Sequence, residues 1–428
     1  MLSRLELSNI GPFDHVKQVF APRLNVLAGD NGLGKSLLLD VAWWACARDW
    51  PDEPVLPRSL IVPAEAGIIA TTLQGATGRP ASSAYRFDPD YLVWKRKGGA
   101  RPSKLGLVVY ARIDGGFSLW DPAQHYFRVA PSLDIEEPDR APAIHLSKRE
   151  VWEGKAVSGP DGRAVRVCDG LLRDWLFWED RRPELFKVFR AVLEGLSPAP
   201  EPLRPASPVT LPSSGVTAIP ALEMPYGVVP LPHASAAVRR IVTLAYLLVW
   251  SWFQHEELSR RKNRAPENRL ILIVDEIEAH LHPFWQRLIL PALIKVTTAL
   301  SDRLETQLIV ATHSPLVLAS LEPDFDTGQD KLFHLRLNHI GKAELREPEW
   351  IRRGDVANWL KSDMFELGEA RSKPAEDAIV AAEALMAGRP SPIERLSTPE
   401  ATEDDLRKYL APIDPVWARW MLFQRMNR

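Results

Sequence analysis

The chain has 428 residues, 25% of them charged and 46% hydrophobic, with a formal net charge of −2. That length and balance fit two or three globular domains and exclude collagen-like, disordered and disulfide-stapled classes, while the near-neutral charge leaves only local patches for nucleic-acid contact. Two cysteines, Cys46 and Cys168, suit a reducing compartment, and a cytoplasmic protein without a membrane span is expected, because residues 1–6 alternate like a strand and the longest apolar stretch, 241–253, looks too short to cross a bilayer.

In chain order, residues 5–10 alternate apolar and polar and predict an edge strand, turned by Gly11-Pro12-Phe13 toward a second at 16–20. An apolar strand at 24–28 then runs into Gly29-Asp30-Asn31-Gly32-Leu33-Gly34-Lys35-Ser36, and a leucine-rich helix follows at 37–47. Strand, loop and helix in that order, around G-x-x-x-x-G-K-S, make a phosphate-binding loop. Glycines let successive backbone N–H groups curl around a phosphate, and the helix start adds its free N–H groups and positive dipole end. Lys35 is expected to reach the outer phosphates and Ser36 to ligate Mg²⁺, which implies ATP or a similar triphosphate.

Prolines at 51, 54 and 57 end the helical pattern. Short strand-like runs at 68–71, 107–110 and 117–120 predict a β-rich stretch, and 171–178 and 185–193 carry helical spacing. Frequent prolines from 198 to 232 predict a long connection without helix or central strand. The expected organisation is therefore an N-terminal half of a nucleotide-binding core at 1–71, an inserted region at 72–225, the second half of the core at 226–345, and a helical extension at 346–428. Gln74, just after a strand-like run, is a candidate for sensing the γ-phosphate.

Two later apolar runs end in polar chemistry. Residues 270–274 are unbroken aliphatic sequence followed by Asp275-Glu276, the pattern of a parallel strand buried on both faces. Ligands in open α/β sheets sit at the carboxyl ends of such strands, so Asp275 is expected to hold Mg²⁺ and Glu276 to polarise the attacking water. A second run, 307–312, ends in His313-Ser314-Pro315, which places His313 beside the phosphates.

Together the loop at 29–36, Asp275-Glu276 and Thr312-His313-Ser314-Pro315 resemble ATP-binding-cassette ATPases, nearest to the RecF, OLD and SMC-like group. The resemblance implies an α/β core of P-loop NTPase type with a mixed or parallel sheet and flanking helices. It also implies a dimer, or a higher oligomer, that meets through nucleotide-binding heads. Ser235, at the start of a helix, matches the signature serine that reaches the γ-phosphate of the partner head. Ala237 stands where that signature carries glycine, a departure that limits close backbone approach. Ala279-His280-Leu281-His282 corresponds to the loop at the dimer seam; His280 and His282 lack a third ligand for a zinc site.

The phrases at 225–235, 169–175 and 354–360 further resemble stand-alone bacterial defence ATPases of the Septu type (PtuA-like), some of them attached to retrons. That likeness implies anti-phage defence and a separately encoded HNH nuclease partner (PtuB-like). No nuclease is expected within this chain, since no Asp-x-Asp pair follows the glutamate candidate Glu153 in a strand–turn setting and the region after about residue 345 is too short for that domain. Two alternatives stay open: a repair ATPase acting directly on DNA, for which the basic run 259–264 is the candidate contact, and an ATP-gated scaffold with little turnover. Helices at 375–386, 403–410 and 415–425 complete the expected chain, the last carrying Trp417, Trp420 and Met421 for packing or for docking a partner.

Overall fold

The computed structural model describes residues 1–58, 66–75, 78–99, 105–125, 143–158, 163–198, 201–210, 218–365, 367–368 and 371–426. They form two compact units, Met1–Arg352 and Arg353–Arg428. Residues 76–77, 100–104 and 126–142, between and after the strand-like runs of the β-rich stretch, lie outside them, as do Pro200 and Pro212 of the proline-rich stretch.

The first unit opens with the hairpin β1 (Leu2–Ile10) and β2 (Phe13–Val19), each alternating buried and exposed side chains as a half-covered sheet requires. β3 (Leu24–Gly29) is buried throughout and delivers the chain to α1 (Lys35–Ala47). β4 (Ile68–Gln74), β5 (Pro80–Asp88) and β6 (Val93–Gly99) then return to the first sheet, whose order is β2-β1-β4-β5-β6, antiparallel throughout. Its apolar face packs on α1 through Trp44, Tyr85 and Trp94, with Trp44 and Tyr85 edge-on at 4.9 Å.

Next come β7 (Leu107–Ala111), β8 (Phe117–Trp120), α2 (Pro122–His125) and β9 (Ile144–Leu146). All three strands join the main sheet rather than a separate insertion, because Leu107-Val108-Val109-Tyr110 is buried on both faces and pairs in parallel with the later strand Arg269–Val274. A peripheral segment follows: α3 (Lys148–Glu153), the hairpin β10 (Lys155–Ser158) and β11 (Ala164–Cys168), then α4 (Leu171–Arg181) and α5 (Pro183–Gly195).

The proline-rich stretch departs from the expected linker. It folds into the antiparallel sheet β12 (Arg204–Thr210), β13 (Ala218–Met224) and β14 (Gly227–Pro230). The prolines are accommodated by position. Pro205 and Pro208 lie on the edge strand, and Pro220 sits at the register shift where the β12–β13 ladder breaks and beyond the reach of β14.

The remainder of the unit is α6 (Ala236–Arg261), β15 (Arg269–Val274), α7 (Pro283–Val296), β16 (Glu305–Thr312), α8 (Pro315–Leu321), β17 (Asp330–Leu337) and β18 (Ala343–Arg346). The main sheet has eight strands in the order β18-β17-β3-β16-β15-β7-β8-β9, with the central five parallel. Residues 241–253 turn out to be part of α6, a 26-residue helix and the one described helix long and apolar enough to span a bilayer. The expectation from its apolar stretch is corrected in length, but 67% of its most apolar window is buried within the fold. Tyr246 of that helix donates a 2.6 Å hydrogen bond to the buried Asp174 of α4, which accounts for an acid inside the 169–175 phrase.

The second unit holds α9 (Val356–Leu360), α10 (Lys373–Met386), α11 (Pro399–Tyr409) and α12 (Pro415–Met426). Its own core gathers Ile379, Leu396, Leu406 and a fully buried Trp420, while Met421 on the next position stays 53% exposed.

Candidate functional site

Parallel pairing puts the carboxyl ends of β3, β16, β15 and β7 along one edge of the sheet, with Ala28 opposite Thr312 and Val274 opposite both Val310 and Ala111. Gly29 and His313 therefore emerge side by side, as do Asp275 and Arg112, with Asp275 level with Ala311 two residues before His313. Segments nearly three hundred positions apart in sequence meet here because the ladder leaves them no other register.

The loop after β3 needs its glycines. Gly29 has φ +136°, and a Cβ there would lie 2.0 Å from the carbonyl oxygen of Leu335 on β17. Gly32 has φ +76° and faces open space, while Asp30, Asn31 and Ser36 are exposed and Leu33 packs partly on the core. Gly34 caps α1 in a left-handed conformation. Lys35 turns inward: its Nζ donates to the carbonyls of Gly29 at 2.8 Å and Asp30 at 2.6 Å. Burial lowers its ammonium to about 8, against the pull of Glu276, Asp275, Asp30 and Glu278.

Asp275 follows β15 and is 1% exposed, its N–H tied to the Ala111 carbonyl at 3.0 Å. Burial raises its carboxyl above the ordinary range, opposed by a hydrogen bond from Ser36. Among the described residues its Oδ1 has no hydrogen-bond partner. A buried, unpaired carboxylate oxygen beside the Ser36 hydroxyl is the donor set that a hydrated Mg²⁺ accepts, so these residues fit the ion that the loop implies.

Glu276 adopts φ +45°, a left-handed backbone unusual for a non-glycine residue, which turns its side chain across the sheet edge. Its Oε1 lies 3.2 Å from Nε2 of His313, whose Nδ1 is 3.0 Å from the Gly29 carbonyl. Both ring nitrogens thus face oxygen atoms, one of a carboxylate and one of a backbone carbonyl.

Three supports were not singled out from sequence. Arg240, one turn into α6, donates through Nη2 to the carbonyls of Asp275 and Glu276, each at 2.9 Å. Nothing in the pair Arg239-Arg240 marks which side chain turns inward. Glu278 accepts the His313 backbone N–H, a role hinted at by its place in Asp275-Glu276-Ile277-Glu278. Beneath the site Tyr110 donates to Asp40 at 3.0 Å, and burial raises the Asp40 carboxyl to about 6.

Gln74 is not part of this arrangement, and its expected role is corrected. It ends β4 beside Met1, whose amino group donates to its carbonyl, and its own amide is spent on Gly78. β4 pairs Leu73 with Leu2, whereas the loop packs near Pro12 and Phe13 past the other end of β1. Eight strand residues separate those ends, on the order of 25 Å. Ser235 is exposed and N-caps α6, accepting from the Val238 N–H at 3.3 Å. His282 caps α7 by accepting from Phe284, and His280 has φ +66° in the loop before α7.

The fold and this edge define an ABC-ATPase-like P-loop core: a mixed sheet with five parallel strands, a phosphate-binding loop on one of them, acids on a strand two places away, and a histidine on the strand between. Residues 227–319 match the family described as AAA domain, putative AbiEii toxin, Type IV TA system. The chain is 32% identical over 107 residues to the Retron Ec83 probable ATPase of Escherichia coli, a stretch that spans 25% of this chain and 16% of that relative's length. Among solved structures it is similar to the SMC head domain from Thermotoga maritima, at 14% identity and a TM-score of 0.39, covering 82% of this chain and 99% of that one. It is similar too to the recombination mediator RecF, at 12% identity and a TM-score of 0.37, covering 81% and 98%.

Proposed function

We propose that this chain is an ATPase that binds ATP with Mg²⁺ and hydrolyses it between the heads of a dimer, and that its nucleotide state controls a separate HNH nuclease in anti-phage defence. The observation that carries the hydrolytic reading is the 3.2 Å approach of Glu276 to His313 beside the loop that holds Lys35.

Lys35 and the amides of residues 29–36 bind the outer phosphates, exchanging the Gly29 and Asp30 carbonyls for phosphate oxygens. Ser36 and Asp275 hold Mg²⁺, which when bound spreads the charge of the phosphate oxygens. Glu276 accepts a proton from the attacking water, and His313 orients that water and the carboxylate through Nε2. Arg240 keeps the strand end in place by its two carbonyl bonds. Ser235 of the partner subunit completes the site from across the seam. The defence role and the nuclease partner rest on the phrases at 225–235, 169–175 and 354–360 and on the likeness to a retron ATPase.

Purified chain with and without Lys35→Ala tests the first step. ATP at a hundredfold over its Kd should stabilise the wild type by about 2.7 kcal/mol and the variant by none. Co-purification with the products of neighbouring genes tests the second. One observation favours the scaffold reading over fast turnover: Ala237 in the first turn of α6 adds a Cβ where the partner's phosphate would approach. That reading predicts ATP-dependent dimers whose phosphate release is no faster than in Glu276→Gln.

A further inference from the structure

Behind the carboxyl end of β15 lies a cavity of about 690 Å³ that no residue of the loop 29–36 lines. Its volume is within the range of small-molecule sites. The turn after β7, helix α3, the first turns of α6 and His280 enclose it. The floor is apolar: Ile241, Leu244, Leu247, Val274, Ile277 and Ile289.

The rim is cationic. Arg112, Lys148, Arg149, Arg239 and Arg240 face it, against the acids Asp114 and Glu153. Arg112 is 2.6 Å from Asp52 and 3.7 Å from Asp114, and Arg149 is 2.7 Å from Glu153, so the acids are already answered. Lys148 and Arg239 have no carboxylate partner among the described residues. The half-buried Trp152 adds an indole at the edge. Apolar floor, aromatic edge and two unanswered cations select an anion with a flat apolar body.

We propose that this cavity is a second ligand site, taking an aromatic anion of mononucleotide size, and that it is coupled to Glu276 through Arg240. Arg240 is wall and brace at once: its guanidinium lines the cavity and holds the Asp275 and Glu276 carbonyls at 2.9 Å. An anion that draws the guanidinium inward loosens the strand end that carries the base. The coupling rests on the hydrolytic reading above; the binding does not.

The test uses the full chain and two fluorescent probes, anilinonaphthalene sulfonate and its neutral counterpart phenylnaphthylamine, in wild type and in Lys35→Ala to remove phosphate-loop binding. Lys148→Glu with Arg239→Glu should weaken the sulfonate roughly tenfold while sparing the neutral probe. Thr243→Trp, which fills the cavity, should abolish both. Equal sulfonate affinity in wild type, charge-reversed and filled proteins of unchanged circular dichroism overturns the site. Saturating sulfonate should then change the rate of phosphate release by about twofold or more in the wild type and not in Thr243→Trp. Binding without a rate change overturns the coupling. A chain that hydrolyses no ATP removes the coupling with the hydrolytic reading, while the probe titrations still decide the site.

Discussion

Replacing Glu276 by Gln isolates the proton-accepting step from everything else at the sheet edge. The amide has the size and shape of the carboxylate, and the contacts that position residue 276 are made by its backbone: the Arg240 bond to its carbonyl and the left-handed turn at φ +45°. The His313 contact at 3.2 Å survives in geometry, with Nε2 now beside an amide. What disappears is the ability to take a proton from water. General-base assistance is worth about 10²–10⁴-fold, or roughly 2.7–5.4 kcal/mol of barrier, and that is the expected loss in kcat. ATP affinity should hold or rise, since one negative charge near the phosphates is gone while Lys35 and Ser36 stay in place. Phosphate release under saturating ATP, alongside the ATP-induced shift in Tm, separates the two effects. A Glu276→Gln protein that hydrolyses within threefold of wild type, or that loses ATP-induced stabilisation, refutes the assignment.

Lys35 gives a pH signature. Its ammonium is lowered to about 8 in the free protein, and phosphate contact favours the charged form. Binding then takes up a proton above that value, so ATP affinity should fall about tenfold per pH unit from about 8 toward 10.5, read by titration at several pH values. For the free protein the sign is opposite: the unfolded chain binds more protons across that window, so this lysine's contribution to stability rises with pH until both states are neutral. Gly29→Ala forces a Cβ to within 2.0 Å of the Leu335 carbonyl at φ +136°, and strain plus overpacking should cost about 2–6 kcal/mol, seen as a lower urea midpoint with nucleotide absent. Trp420→Ala empties the core of the second unit at a fully buried position and should cost it about 3–5 kcal/mol, exposing 353–426 to limited proteolysis.

Much of the site was legible because its signals are local. The loop 29–36 is contiguous, and its chemistry is written in glycines and one lysine; the strands ending at Asp275 and His313 announce themselves as unbroken aliphatic runs because burial on both faces demands it. Gln74 shows the limit. It ends a strand at a plausible distance along the chain, yet antiparallel pairing of β4 with β1 carries it to the far end of the sheet. Strand direction, which decides such a placement, leaves no mark in a single segment.

The sequence by itself determined that a glycine-rich loop of phosphate-binding pattern, two acids and a histidine exist, and that aliphatic strands would deliver them. Only the tertiary structure decided that β16 lies between β3 and β15, that β7–β9 belong to the main sheet, and that Arg240 rather than its neighbour braces the strand end. It also turned a proline-rich connection into a sheet, since whether a proline is tolerated depends on the edge or bulge it occupies. Composition and periodicity report what a segment buries; the partner it buries against is set by long-range register, and that is fixed only when the whole chain folds.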